Sequence, residues 1–325
     1  MKISTIAIST ISVLLNASPL DATFSIAAVD QTTGAMGAAG CFCVHTKPGQ
    51  PPLPFTVYEA LYHPVPGKGV LVAQAQPPQG KKHAVYKAAS KMLNQGDDPA
   101  SILTEITSSK VDPGEFFTTG LDNNRVRQYG IVDLQGRADG YTGDQIDNLH
   151  VLDGYNSTTV QTYAQKHYSP GAKVGPGKNY AYVAQGNIVS LNTVQAMADG
   201  FEKDACDLAE RLFHALTIVD DLNTQANATG TNDQDDFVGD VRCEEMNGFP
   251  GYQAFVHVDF GGQKPPMHLE SNVLLNNWNV IPGIMANSTV NPFDDLRKQY
   301  NAWRANNSCP PSKAVGNNKL RRRAL

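Results

Sequence analysis

The order in which strand-like and helix-like runs follow one another constrains this chain more than any single motif does. Thr23 to Val29 is a short β-type run, Asp30 to Gly34 has turn chemistry, and Ala35 to Val44 is a second run rich in small residues; together they predict a β-hairpin. The stretch from Thr46 to Pro66 is Pro-rich and polar and predicts a surface excursion without regular structure, after which Gly69 to Gln76 restores strand character. Two helices are predicted next. One spans Lys81 to Asn94, with apolar residues at helical spacing and a stop at Gly96, and Asp98 and Pro99 open the other. Arg125 to Val132 and Arg137 to Thr142 predict another hairpin about Asp133 to Gly136. Tyr180 to Ala184 reads as a strand that breaks at Gln185, Gly186 and Asn187. A helical zone from Leu191 to Leu216, interrupted near Asp204, and a strand from Tyr252 to Phe260 complete the order. Strands and helices arriving in blocks favour an α+β fold, with sheets packed face to face and helices outside, over a parallel alternating one.

At 325 residues, with 41% hydrophobic and 18% charged side chains, the chain can bury a large core and is not compositionally disordered. Its net charge of −5 repels polyphosphate over most of the surface, so nucleic acid is not an expected partner. The exception is the end of the chain, where Lys319, Arg321, Arg322 and Arg323 form a basic run. That run suits contact with an anionic wall, membrane or acidic glycan, or plain solvation.

The first residues place one Lys ahead of an apolar, Ser/Thr-diluted stretch from Ile3 to Leu15 and continue into small and turn-forming residues, which reads as a secretory leader. The stretch is shorter than the roughly 20 residues a membrane-spanning helix needs, and no later segment approaches that length, so no transmembrane span is expected. Cleavage after Ala17 and cleavage after Ala22 both leave a small residue before the cut. Sequons at Asn156, Asn227, Asn287 and Asn306 agree with export to an extracellular or vacuolar compartment. Cys41, Cys43, Cys206, Cys243 and Cys309 lack zinc-site spacing, and no metal or cofactor is expected. They predict either two disulfides with one odd thiol or five buried thiols. The expected organisation is a leader over 1–22, a main domain over 23–260, a strand and helix packed on it over 261–305, and a disordered basic tail over 306–325.

The chain has no GxSxG elbow, Walker loop, HExxH or strand-following GxGxxG, which removes the common hydrolase and nucleotide readings. Thr23 gains weight in their place. If the leader is cut after Ala22, the first strand begins with a free threonine whose own α-amino group, with a reference pKa of about 7.7–8.0, can accept the hydroxyl proton at neutral pH. One residue then supplies both nucleophile and base.

Several stretches, taken in order, resemble a known family. They are ATFSIAAVDQTTGAMGAAG from Ala22, PGKGVLVAQAQ from Pro66, RVRQYGIVDLQGRADGYTG from Arg125, YVAQGN from Tyr182 and CDLAERLFHAL from Cys206, then GDVRC from Gly239, AFVHV from Ala254 and AWRA from Ala302. They are similar to the bacterial family numbered 1028 among domains of unknown function, over Ala22 to about Arg304. The resemblance implies the fold of the N-terminal nucleophile (Ntn) hydrolases, a four-layer αββα sandwich with a Thr at the start of its first strand, and implies no substrate. Family-matching polar residues at strand ends supply the remaining candidates. Asn187, Asp240 and Arg242 join Thr23 as catalytic residues, and Gln74, Arg127 and Thr142 as substrate-binding ones. Acyl transfer needs donors for a developing oxyanion and a carboxylate to hold the cationic amine. Asn187 is read as the oxyanion donor or as an ordinary turn residue, and Asp240 with Arg242 as a pair beside the site or a structural ion pair.

Asp30 lies about 23 Å of strand from Thr23 and is read as a turn former. Folding the hairpin brings Gly40 to Cys43 opposite Thr23, where small residues are expected to leave room for substrate. Cys41 and Cys43 then read as a disulfide half and a buried thiol, or as a redox-sensitive site. The chain departs from proteasome-like relatives in having no Lys from Ala35 to Val44 or from Gly69 to Gln76, so activation rests on the amine alone. His45 and His63 flank the Pro-rich excursion and read as surface histidines. The expectation is a secreted or vacuolar hydrolase of a small-molecule or peptide amide, compatible with homo-oligomer formation. Three alternatives stand beside it: a catalytically silent sandwich acting as an extracellular binding or cell-surface module, a precursor that cuts itself at Ala22-Thr23, and a structural extracellular protein.

Overall fold

The computed structural model describes residues 20–46, 57–78, 80, 82–115, 120–146, 166–168, 171–173, 179–187, 191–203, 205–229, 249–273 and 292–309. The expected α+β class holds, with two antiparallel sheets among the described residues. The larger has β1 (Leu20–Asp30) at its centre, flanked by β2 (Ala35–Thr46) and β9 (Asn179–Asn187). Beyond β2 lie β10 (Phe249–Asp259) and β11 (Met267–Val273); β7 (Lys166–Tyr168) and β8 (Gly171–Lys173) both pair with β9. The smaller sheet runs β3 (Tyr62–Val65), β4 (Gly69–Ala75), β5 (Arg127–Asp133), β6 (Ala138–Thr142). The helices are α1 (Val57–Leu61), α2 (Ala84–Gln95), α3 (Pro99–Ile106), α4 (Leu191–Glu202), α5 (Leu208–Thr229) and α6 (Pro292–Asn306).

The first hairpin forms for the reason its sequence gives. Asp30 Oδ1 accepts the N–H groups of Thr32 and Thr33 at 2.8 and 3.3 Å, and Gly34, at φ 75°, donates to Asp30 O. The turn fixes a register in which Thr23 pairs with Phe42 on β2 and with Asn187 on β9, and the β1–β2 register slips by one residue at Ala22. The α2 stop and α3 start also follow local chemistry: Gly96 takes the left-handed cap at φ 87°, and Asp98 Oδ1 accepts from Ser101 N ahead of Pro99.

Period-two alternation sorts the strand side chains into separate cores. On β1, Phe24, Ile26 and Ala28 pack against α4, α5 and α6, while Ala27 and Val29 face the smaller sheet and meet Val70, Val72 and Val132. The far face of the smaller sheet, with Leu71, Ala73, Tyr129 and Ile131, packs on α2 and α3.

Two local expectations are corrected. The excursion after Thr46 is not wholly irregular, since α1 and β3 bury Leu61 and Tyr62, and Pro64 is accommodated because β3 is the outermost strand of its sheet. The chain does not break at Gln185 to Asn187 either: β9 runs through Asn187, because pairing with Phe24 and Ser25 of β1 outweighs the weak strand preference of Gly186. Asp240, Arg242, Cys243, Lys319, Arg321, Arg322, Arg323 and the sequons at Asn156 and Asn287 lie outside the described residues.

The C-terminal elements share the large core. β11 pairs with β10, and α6 inserts Phe293, Leu296 and Tyr300, the last stacked on Phe213 at 3.9 Å. A disulfide joins Cys206, just before α5, to Cys309, just after α6. Beside it Arg304 donates to both Asp207 carboxylate oxygens at 2.9 Å, and Glu210 N–H adds a third bond at 3.0 Å. Burial pushes the Asp207 carboxyl up, but Arg304, the Glu210 N–H and Lys264 outweigh it and hold the group below the usual carboxylate range. A folded pKa below the unfolded value of about 3.9 contributes stability above that pH and loses it as pH falls through the folded value. Denaturant unfolding from pH 7 to pH 2 should therefore show Asp207→Asn less stable at pH 7 and shallower in its decline below about pH 4. An identical acid decline in wild type and variant would show that the pair does not act in this way.

Candidate functional site

The positions that face between the two sheets change character at one end. Ala27, Val29, Val72, Val132 and Val183 are apolar. In the same phase of the same strands follow Ser25 and Thr23 on β1, Gln74 on β4, Gln128 on β5, and Gln185 and Asn187 on β9, all fully buried. Uncharged polar groups placed so deep must be paired with one another. Ser25 Oγ donates to Gln74 Oε1 at 2.6 Å, and Gln74 Nε2 donates to Gln128 Oε1 and to Thr23 O, the latter at 3.3 Å. Gln128 Nε2 donates to Thr142 Oγ1 at 2.9 Å and to Gly186 O at 3.0 Å, and Gln128 Oε1 also accepts from Asn187 Nδ2 at 3.3 Å. Gln185 Nε2 approaches Ser25 Oγ at 3.4 Å. Two acceptors of this network, Asn187 Oδ1 and Gln185 Oε1, are buried and have no hydrogen-bond partner among the described residues.

Glycine makes this packing feasible on one side. A Cβ on Gly40 would lie 3.1 Å from Ser25 Cβ and 3.2 Å from a Phe255 ring carbon. Gly40 lies opposite Ser25, and Phe42 opposite Thr23, so the glycine serves close approach of the strands in place of the open space beside Thr23 expected from sequence.

The network therefore gathers Thr23, Asn187, Gln74 and Thr142 from the sequence candidates and leaves Arg127 out. Arg127 precedes Gln128, so its side chain points to the opposite face of the smaller sheet. There Arg127 Nε donates to Asp112 Oδ2 at 3.0 Å, Nη2 lies 3.5 Å from Oδ1, and Nη1 donates to Gln76 O. Ala75, between Gln74 and Gln76, carries a left-handed φ of 64°, a strain of the order of 1 kcal/mol in the turn between these two environments. His83 stands 3.9 Å from Asp112, and burial, with help from the Arg127 charge, holds its imidazole below the ordinary value against the pull of Asp112.

Cys41 faces the helices, in the phase opposite to Thr23. Burial, and to a lesser degree Asp220, pushes its thiol far up, so it is a packed hydrophobe with no thiolate character. His63 is stacked on Tyr86 at 3.6 Å and its Nε2 lies 3.2 Å from Ala60 O. Sequence reasoning missed Ser25, Gln128 and Gln185. The available signal was their phase, since each sits two residues from another inward-facing position in a strand that is otherwise apolar.

No family model and no curated protein matches the sequence. Among solved structures, the chain is similar to the crystal structure of a Silicibacter pomeroyi protein described as belonging to family DUF1028, with 19% identity and a TM-score of 0.51 over 87% of each chain. At that identity the likeness speaks for the fold, and it reaches the same family that the sequence motifs resemble. The chain has the fold of family 1028 of the domains of unknown function.

Proposed function

We propose that the protein is an Ntn-type amide hydrolase whose nucleophile is Thr23, exported and exposed by removal of residues 1–22. The observation that carries this reading is the pairing of Thr23 with Asn187, whose Oδ1 is buried without a partner among the described residues at the head of a network made of amides and hydroxyls. Two antiparallel sheets facing one another, with helices on both outer faces, support the four-layer αββα arrangement of such enzymes.

No lysine is required for this chemistry. An amine released at Thr23 has a reference pKa of about 7.7–8.0, so a sizeable neutral fraction is present at physiological pH and can serve as the base without a lysine. Asn187 was expected to donate to an oxyanion, but the atom it leaves unpartnered is an acceptor, and we assign it to orienting the α-amine. The Thr23 hydroxyl adds to the amide carbonyl while its proton passes to that amine. The ammonium then protonates the leaving amine, and water releases the acid from the ester. Gln74 and Thr142, held by Gln128, are assigned to the substrate side.

N-terminal sequencing and intact mass of the secreted protein test this directly. Thr23 as first residue is the expected result, and a protein beginning at Ser18 would remove the catalytic amine. A specific observation favours the second reading, a silent sandwich acting as an extracellular binding module: β1 continues upstream of Thr23, where Leu20 and Asp21 pair with Val44 and Cys43. A mature chain that keeps those residues would leave Thr23 as an internal strand residue.

A further inference from the structure

Away from the Thr23 network, β10 and β11 bring two imidazoles together. His257 and His268 are direct cross-strand partners. Their neighbours Val256, Val258, Met267 and Leu269 point the other way, into the large core, so the histidines share the opposite face with Asp259 and Glu270. Tyr58 from α1 packs on both rings, with centroids 4.8 and 4.5 Å away.

The geometry is that of two ligands converging on one point. His257 Nδ1 and His268 Nδ1 are 3.4 Å apart, long for a nitrogen-to-nitrogen hydrogen bond, and the ring centroids are 5.4 Å apart. A tetrahedral ion about 2.05 Å from each nitrogen holds the nitrogens about 3.3 Å and the ring centres about 5.2 Å apart. The other nitrogen of His268 is already engaged, with Nε2 3.3 Å from Glu270 Oε2. A carboxylate on that N–H leaves the Nδ1 lone pair free and turns the ring, the arrangement that accompanies most metal-bound histidines.

We propose that His257 and His268 bind one first-row divalent cation of the imidazole-preferring class, such as Zn²⁺, through their Nδ1 atoms, with Glu270 as the residue that positions His268. Two imidazoles select against Mg²⁺ and Ca²⁺, which prefer all-oxygen sites. His268 is exposed and His257 half-buried, so water can fill the remaining positions. The site is independent of the reading of Thr23.

The test is calorimetric titration of the full-length protein, disulfide intact, with Zn²⁺ alone and with Mg²⁺ alone. One equivalent of Zn²⁺ and no Mg²⁺ is expected to bind. His257→Gln and His268→Gln should each weaken Zn²⁺ binding by tenfold or more, and Glu270→Gln by about tenfold with the stoichiometry kept. A measurement that needs no variant is protection from diethyl pyrocarbonate: Zn²⁺ should slow modification of His257 and His268. Absence of Zn²⁺ binding, wild-type affinity in a His257→Gln/His268→Gln protein, or unprotected histidines in Zn²⁺-loaded protein would each overturn the proposal.

Discussion

Incubated with an alkyne-bearing β-lactone, the protein that begins at Thr23 is expected to take up one acyl group, Thr23→Ser to take it up more slowly, and Thr23→Ala to take up none. The hydroxyl opens the lactone by attack on its carbonyl: a new ester forms at Oγ, the ring C–O bond breaks, and the released alkoxide receives the proton that the α-amine took from Thr23. Serine keeps the hydroxyl and the amine and loses only a methyl group. Alanine keeps the amine and removes the attacking atom, a change that lowers rates by roughly 10⁴-fold or more where a nucleophile is deleted. Mass mapping should place the acyl group on the first residue. Because Thr23 is buried in β1 between two partner strands, each variant is first checked for wild-type circular dichroism and thermal midpoint. Equal labelling of the alanine form, or an unlabelled wild type whose first residue is Thr23, would end the hydrolase reading. A chain still carrying upstream residues should be as inert as the alanine form, since its amine is then part of a peptide bond.

Much of the fold was legible because it is written in local chemistry. The Asp30 turn, the Gly96 cap and the Asp98 start each depend on a few neighbouring atoms, and the structure places them where the sequence does. What was hidden depends on long-range pairing. Asn187 read as part of a break because Gly186 weakens a strand in isolation, whereas pairing with β1 keeps the strand going. Pro64 concealed β3, since only the sheet order reveals that it is outermost and needs no second set of ladder bonds. His257 and His268 are eleven positions apart and share no motif; the β10–β11 register alone makes them neighbours. Arg127 and Gln128 are the sharpest instance. Adjacent residues on a strand face opposite ways, so a reading uncertain by one position does not tell which of the two faces between the sheets.

That choice can be measured. Arg127 and Asp112 are nearly inaccessible, with side-chain exposures of 7% and 2%. Arg127→Met removes the guanidinium and leaves the Asp112 carboxylate buried, with His83 3.9 Å away. Breaking one side of such a pair costs about 3–5 kcal/mol, a large part of the 5–15 kcal/mol that holds a typical domain folded. The thermal midpoint should fall by roughly 10 °C. An exchange of both partners for apolar groups, Arg127→Met with Asp112→Leu, should recover most of the loss, because a buried ion pair is worth little against a well-packed apolar substitute. A substrate-binding role predicts the reverse pattern: Arg127→Met would leave the midpoint in place and change the reaction at Thr23. The double variant separates the two roles, since a purely structural arginine allows it to fold and to be acylated at the wild-type rate. Recovered stability with lost acylation would return Arg127 to the substrate side, and would require the Gln76 end of β4 to reach the site across the strand from Gln74.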